Sequence, residues 1–176
     1  VTVMKGCDER CSFCVVPFTR GRERSRPMAG IVAEVEGLSA RGFREVTLLG
    51  QNVNSYSDAG HDFSGLLDAV ASVDPGMRVR FTTSHPCDIS DRLIATIARH
   101  DNICKYVHLQ VQSGSDRILE LMNSTYDSAH YLSLIDRLRD AVPGVSLSTD
   151  IIVGFPTETD VDHRRTVELM ERVGYD

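Results

Sequence analysis

Hydrophobic positions switch repeatedly between short strand-like runs and helix-spaced stripes, and the switches fall at regular intervals. The apolar run at 1–5 predicts a first strand. Val32, Val35 and Leu38 share one face of a helix over 28–41, which Gly42 ends. A second strand is expected at 43–49. Phe63, Leu66, Leu67 and Val70 then mark a helix over 63–72, and Pro75-Gly76 turns the chain into a third strand at 77–83. Ser90 is placed to cap a helix carrying Leu93, Ile94 and Ile97. A fourth strand at 103–111 precedes a short helix at 115–122 and a longer one at 128–141, closed by Pro143-Gly144. The fifth strand is expected at 145–153 and the last helix at 159–173.

Five βα units in succession predict an α/β fold, a parallel sheet with helices on its convex face. A doubly wound sheet and a barrel both satisfy that pattern. No Gly-rich phosphate fingerprint follows the first strand, and several short polar strings fall just after strand ends. These are Gly50-Gln51-Asn52, Ser84-His85-Pro86, Gln112-Ser113-Gly114 and Gly154-Phe155-Pro156. Barrels collect their chemistry on the loops at that end of the strands. The expectation is one domain over residues 1–176, an open partial TIM-like (βα) barrel with about five of six units. The chain stops at Gly174-Tyr175-Asp176, where a sixth strand would begin, and its apolar start at Val1 suggests a segment of something longer.

Composition narrows the class. The 176 residues are 41% hydrophobic and 25% charged, without tryptophan and without an apolar run long enough to span a bilayer. No membrane partner is expected. The formal charge is −6, but residues 1–27 carry a net +3, leaving −9 on the rest. Arg20, Arg22, Arg24 and Arg26 concentrate that basic charge in one loop. A phosphate contact and a solvated charged loop both fit it.

That loop follows Cys7, Cys11 and Cys14, which stand in KGCDERCSFCVVP with C-x3-C-x2-C spacing. Three thiolates on one short loop suit three irons of a [4Fe–4S] cube, because soft sulfur donors select iron–sulfur clusters and zinc. A structural zinc site normally closes with four protein ligands, and no fourth Cys or His lies nearby in sequence. Five cysteines, an odd number, and the lack of a secretory segment argue against a disulfide framework. Cys87 and Cys104 read as small, partly buried residues. Cluster assembly wants a reducing compartment, so a cytoplasmic location is expected.

The cysteine run resembles the radical S-adenosylmethionine superfamily, whose loop has the form C-x3-C-x-aromatic-C, with Phe13 as the aromatic. The strings RGRERSRP, LLGQNVNSY, TTSHP, VQSGSDRILELMN and STDIIVGFPTET resemble, over nearly the whole chain, the methylthiotransferases of that superfamily. LLGQNVN is similar to the tRNA-modifying, MiaB-type branch. The resemblance implies an open barrel, a [4Fe–4S] cluster on Cys7, Cys11 and Cys14, and S-adenosylmethionine on the open iron. It implies a transferase adding a methylthio group to C2 of N6-isopentenyladenosine at position 37 of tRNA, through a 5′-deoxyadenosyl radical. Sister branches act on threonylcarbamoyladenosine or a ribosomal-protein aspartate. A non-catalytic Fe–S or RNA-binding module on the same scaffold is a separate alternative.

Carried residue by residue, the resemblance places Phe13 near adenine and Gly50 and Gln51 at the methionine ammonium, with Gln112 and Ser113 facing the ribose or methionyl group. Ile152, Val153 and Gly154 would pack on adenine. Each has a plainer role available: Gly50 and Gly154 as turn glycines, Ile152 as a core strand residue. The resemblance also implies an anticodon-loop partner near Arg20, Arg22, Arg24 and Arg26, and a reducing electron donor such as flavodoxin. A domain with a second [4Fe–4S] cluster and a terminal RNA-binding domain are expected outside these residues. Two departures stand out. Gln110 replaces a proline of the family string, and Ser124-Thr125-Tyr126-Asp127 replaces a segment that commonly holds an arginine.

Overall fold

The computed structural model describes residues 1–176. In chain order the elements are β1 (Met4–Lys5), α1 (Val16–Arg20), β2 (Arg24–Ser25), α2 (Met28–Ala40), β3 (Glu45–Leu48), β4 (Ser57–Asp58) and β5 (His61–Asp62). There follow α3 (Phe63–Val73), β6 (Arg78–Phe81), α4 (Asp91–Arg99), β7 (Tyr106–His108), α5 (Asp116–Leu121), α6 (Ser128–Ala141), β8 (Ser146–Ser148) and α7 (Asp160–Val173).

The five expected parallel segments are present and neighbour one another in sequence order. The first pairs with the second through Thr2 and Leu49, and β3 with β6 in the register Val46 to Val79. The third meets the fourth through Val79 and Ile103 and again through Ser84 and Leu109. β7 pairs with β8, Val107 opposite Leu147, and Gln112 with Ile151 extends that pairing to the rim. This is the expected partial barrel of α/β type.

Side-chain alternation decides which face holds the core. Val46, Leu48, Val79, Phe81, Val107, Leu109, Val111 and Leu147 belong to one cluster of 36 buried apolar residues, which the helices cover. The opposite, concave face is polar. Glu45 accepts from the Nε atoms of Arg78 and Arg80 at 3.1 and 3.2 Å. Ser148 Oγ lies 2.6 Å from the Tyr106 hydroxyl and 2.8 Å from His108 Nδ1. Asp150 receives the Gln110 amide at 2.9 Å.

Helix ends follow local chemistry. Asp62, Ser90 and Asp127 each accept a backbone N–H three residues on, at 2.8, 3.1 and 2.7 Å. Thr159 and Asp162 form a reciprocal capping box on α7. Gly42, at φ +84°, supplies the left-handed turn that stops α2 one residue before the expected end.

Three features depart from the sequence reading. The first strand is split: Val3 stays in the parallel sheet, with its N–H on Leu49 O at 2.9 Å, while Met4–Lys5 turns to pair antiparallel with Arg24–Ser25. α1 and the β4–β5 hairpin are additional. The hairpin turns on Ala59 and Gly60, both at positive φ.

Gly114 fixes the rim to α7. A methyl group there would sit 2.5 Å from the Arg165 carbonyl oxygen and 2.7 Å from Thr166 Cα. Both are helix backbone and have little freedom to yield. Gly114→Ala in the full-length protein is expected to cost roughly 1–3 kcal/mol by overpacking, read as a thermal midpoint about 2–12 °C lower. An unchanged melting curve would refute this tight packing.

Candidate active site at the barrel rim

The cysteine loop is shaped by contacts far away in sequence. Gly6, at φ +85°, donates its N–H to Gln51 Oε1 at 2.7 Å, and Cys7 donates to Gly21 O at 3.2 Å. Asp8 accepts from the Arg22 guanidinium at 3.2 Å and from Glu23 N–H at 3.3 Å. Cys14 N–H closes a turn onto Cys11 O at 3.0 Å. The far side of the loop rests on the end of α5. Ser12 donates its N–H to Met122 O and its hydroxyl to Leu121 O, both at 2.9 Å, and Asn123 donates its amide to Arg10 O at 2.8 Å.

Cys7, Cys11 and Cys14 are half-buried free thiols that open into one small cavity of about 90 Å³. Burial pushes the Cys7 thiol up to about 11, aided by the Glu23 and Glu9 carboxylates, and raises Cys11 for the same first reason. At Cys7 and Cys11 the free thiols hold their protons, and a bound metal displaces them. The donor set fits an iron–sulfur cube: three soft ligands, not consumed by disulfides, converging where strand ends meet.

Phe13, Gln51 and Gln112 line the same cavity. Gly50, Ser113, Ile152, Val153 and Gly154 do not. A methyl group on Gly50 would lie 2.6 Å from Met4 Cγ, so packing against Met4 already requires glycine there. Ser113 is fully buried and faces α7, 3.3 Å from the Thr166 hydroxyl. Ile152 is half-buried against the core, Val153 is exposed, and Gly154 donates its N–H to the Glu158 carboxylate.

The cavity includes residues the motifs did not single out for cofactor contact: Asn52, Thr83, Ser84, His85 and Tyr126. Asn52 is nearly completely buried, and its amide donates to Asp88 Oδ2 at 2.6 Å. That contact fixes the flip and leaves Asn52 Oδ1 without a hydrogen-bond partner; Ser84 Oγ and His85 Nδ1 also lack one, His85 Nδ1 lying 4.0 Å from Asp88 Oδ2. His85 packs edge-on against Tyr126, with ring centroids 5.5 Å apart. Thr83 and Gln112 both hold positive φ, at 69° and 65°, a conformation costly for side-chain-bearing residues. Buried polar atoms left open cost free energy until a ligand satisfies them. The sequence signals for them were the Gly50-Gln51-Asn52 and Ser84-His85-Pro86 strings directly after strands; Tyr126 had none of that kind.

The arginines divide. Arg26 is held by Thr2 O at 2.7 Å and by Glu34 at 2.8 Å, and Arg22 by Asp8. Arg20 and Arg24 make no carboxylate pair, and the Arg24 guanidinium reaches only the Arg20 carbonyl, at 3.5 Å.

The sequence model of the Radical SAM superfamily matches residues 1–170. The chain belongs to the Radical SAM superfamily. The tRNA-2-methylthio-N(6)-dimethylallyladenosine synthase of Chlorobium luteolum is 58% identical over all of this chain, and that of Chlorobaculum tepidum is 56% identical over 99% of it. The chain spans 40% of the length of each relative. Among solved structures, the radical S-adenosylmethionine methyltransferase TsrM of Kitasatospora setae superposes with a TM-score of 0.81 at 22% identity. It covers 99% of this chain and 34% of that one, and was solved with cobalamin and a [4Fe-4S] cluster bound. Methylornithine synthase superposes with a TM-score of 0.67 at 14% identity, over all of this chain and 50% of that one. These likenesses establish the radical SAM fold. No helix is long and apolar enough to cross a membrane.

Proposed function

We propose that these residues form the radical core of a methylthiotransferase that modifies C2 of N6-isopentenyladenosine at position 37 of tRNA. The observation that carries this reading is the convergence of three free thiols on a rim cavity with unsatisfied polar groups, in a chain whose relatives bear that name. Cys7, Cys11 and Cys14 would hold the cluster. When bound, the cluster and S-adenosylmethionine supply one-electron cleavage to a 5′-deoxyadenosyl radical.

The chain's own residues bind and orient. Asn52 Oδ1, aimed by its bond to Asp88, accepts a hydrogen bond from a ligand donor, and Ser84 Oγ offers a second polar contact. Phe13 and Tyr126 supply apolar walls that limit water. The sulfur supply and a second [4Fe–4S] cluster are assigned to parts of the full-length protein outside these residues, which contain no second cysteine triad. The resident compartment is proposed to be the cytoplasm, where tRNA and a reducing poise coincide.

The deciding experiment is nucleoside analysis of tRNA from cells lacking the full-length protein. The 2-methylthio group is expected to vanish while N6-isopentenyladenosine accumulates. Persistence of the methylthio nucleoside refutes the assignment.

Arg20 and Arg24 are assigned to anticodon-loop phosphates, with Arg22 and Arg26 shaping the loop that presents them. Arg20→Ala/Arg24→Ala in the full-length protein is expected to weaken tRNA binding and to lower the slope of log affinity against log salt by about 1.5, at 0.7–0.9 per phosphate. An unchanged slope returns this loop to ordinary solvated surface.

A further inference from the structure

Two carboxylates and an imidazole meet at the rim, outside the thiol set. One donor atom each from Glu9, His85 and Asp88 lies within 4.8 Å of the other two. Glu9 belongs to the cysteine loop, between Cys7 and Cys11, whereas His85 and Asp88 belong to the turn after β6. All three residues are half-buried. Neither carboxylate has an arginine or lysine at ion-pairing distance; Asp88 has only His85, whose Nδ1 lies 4.0 Å from its Oδ2.

We propose that Glu9, His85 and Asp88 form a site for a divalent transition cation of the Mn(II), Fe(II) or Zn(II) class, separate from the thiols, which clasps the cysteine loop to the turn after β6. The site does not depend on the thiols holding a cluster.

The groups around the three donors suit a hydrated ion. Asn52, only 3% exposed, gives its amide to Asp88 Oδ2 at 2.6 Å, which sets its unpartnered Oδ1 beside that carboxylate. Such a bond orients a carboxylate for a metal. A water on the ion donates to Asn52 Oδ1, and the second lone pair of that oxygen stays open to the rim ligand. Ser84, next to His85 and 1% exposed, has a hydroxyl oxygen in the same unsatisfied state. Without an ion, two half-buried like charges face each other unneutralised, a costly arrangement that a divalent charge relieves.

The donor types select the ion. Oxygen ligands alone would suit calcium or magnesium, and the imidazole moves the preference into the transition series. Tyr126 holds the His85 ring edge-on at 5.5 Å between centroids, and His85 Nδ1, lacking a hydrogen-bond partner, offers its lone pair in the neutral tautomer protonated on Nε2. Three protein ligands leave positions for water, unlike a closed structural zinc with four. No thiolate takes part, so donor softness sorts this ion from an iron–sulfur cluster on the cysteines.

The test uses the full-length protein with its cluster reconstituted anaerobically and loosely held metal removed by gel filtration. Mn(II) is the probe, because it favours oxygen and nitrogen donors over thiolates, and its EPR signal counts the free ion. The expected result is a saturable Mn(II) site whose affinity falls about tenfold or more in Glu9→Gln, in His85→Gln and in Asp88→Asn, the last of which keeps an acceptor for Asn52. Mn(II) should raise the thermal midpoint of the unsubstituted protein and leave those of the three variants unmoved. Full-affinity binding by the variants, or no saturable binding by the unsubstituted protein, overturns the proposal. Equal affinity for Mg(II) overturns the assignment to a transition ion. Cys11→Ala should retain the Mn(II) site, and loss of Mn(II) there gives the ion to the thiols and overturns the proposal too. A protein that binds Mn(II) at this site but takes up no cluster supports the clasp and refutes the separate reading of the cysteines.

Discussion

Cys11→Ala in the full-length protein is expected to abolish cluster binding, leaving iron and sulfide near background and no visible absorption after anaerobic reconstitution. Cys11 sits between Cys7 and Cys14, the other two proposed ligands, and its carbonyl anchors the turn that presents Cys14. Two remaining thiols cannot hold three irons of a cube. The spectral change on adding S-adenosylmethionine should disappear with the cluster. A variant that still takes up a full cluster, or an unsubstituted protein that takes up zinc under iron-replete reducing conditions, would refute the ligand assignment.

Gly6→Ala ranks second in expected effect, although residue 6 would touch no cofactor. Its φ of +85° is costly for any side chain, roughly 1–2 kcal/mol for an ordinary L-residue. A methyl group there would also lie 2.1 Å from the Arg22 carbonyl oxygen and 2.6 Å from that of Gly21. The loop must open to admit it, breaking the Cys7 N–H to Gly21 O bond that positions Cys7. Roughly 1–3 kcal/mol more is expected from that overpacking. The prediction is a lower thermal midpoint of the cluster-free protein together with iron loading well below that of the unsubstituted protein. Normal melting and normal iron content would show that the loop has more slack than its backbone contacts indicate.

Much of this was legible in the chain. Caps and stops are local chemistry, so Ser90 and Gly42 announced their helix ends; the βα alternation gave the parallel α/β sheet, and the polar strings after the strand ends pointed to a barrel. The cysteine spacing alone singled out the three thiols that the fold brings to one cavity. Other features depend on partners distant in sequence. Arg24–Ser25 has no strand character of its own and becomes a strand because Met4–Lys5 turns toward it. Arg78, Arg80 and His108 sit in strands expected to be apolar because their alternate positions face the polar concavity rather than the helices.

At the site, Ser113 was expected beside the cofactor, but the positive φ of Gln112 resets the alternation and turns the serine toward α7. Gly50 owes its identity to Met4, a neighbour no periodicity reveals. His85 and Tyr126 meet edge-on only after α4, β7 and α5 have folded between them. Their residue types alone say nothing of that meeting.

The fastening of the cysteine loop to the end of α5 also sets an order of events during synthesis. Ser12 and Asn123 find their partners 109 and 113 residues away along the chain. At roughly 5–20 residues per second, a ribosome needs about 5–20 s to make the stretch between them. For that interval the three thiols have emerged without the support that holds their spacing, open to stray metals and oxidants. Cluster insertion is therefore expected to follow completion of the fourth βα unit, with the newborn loop depending on the reducing poise around it until then.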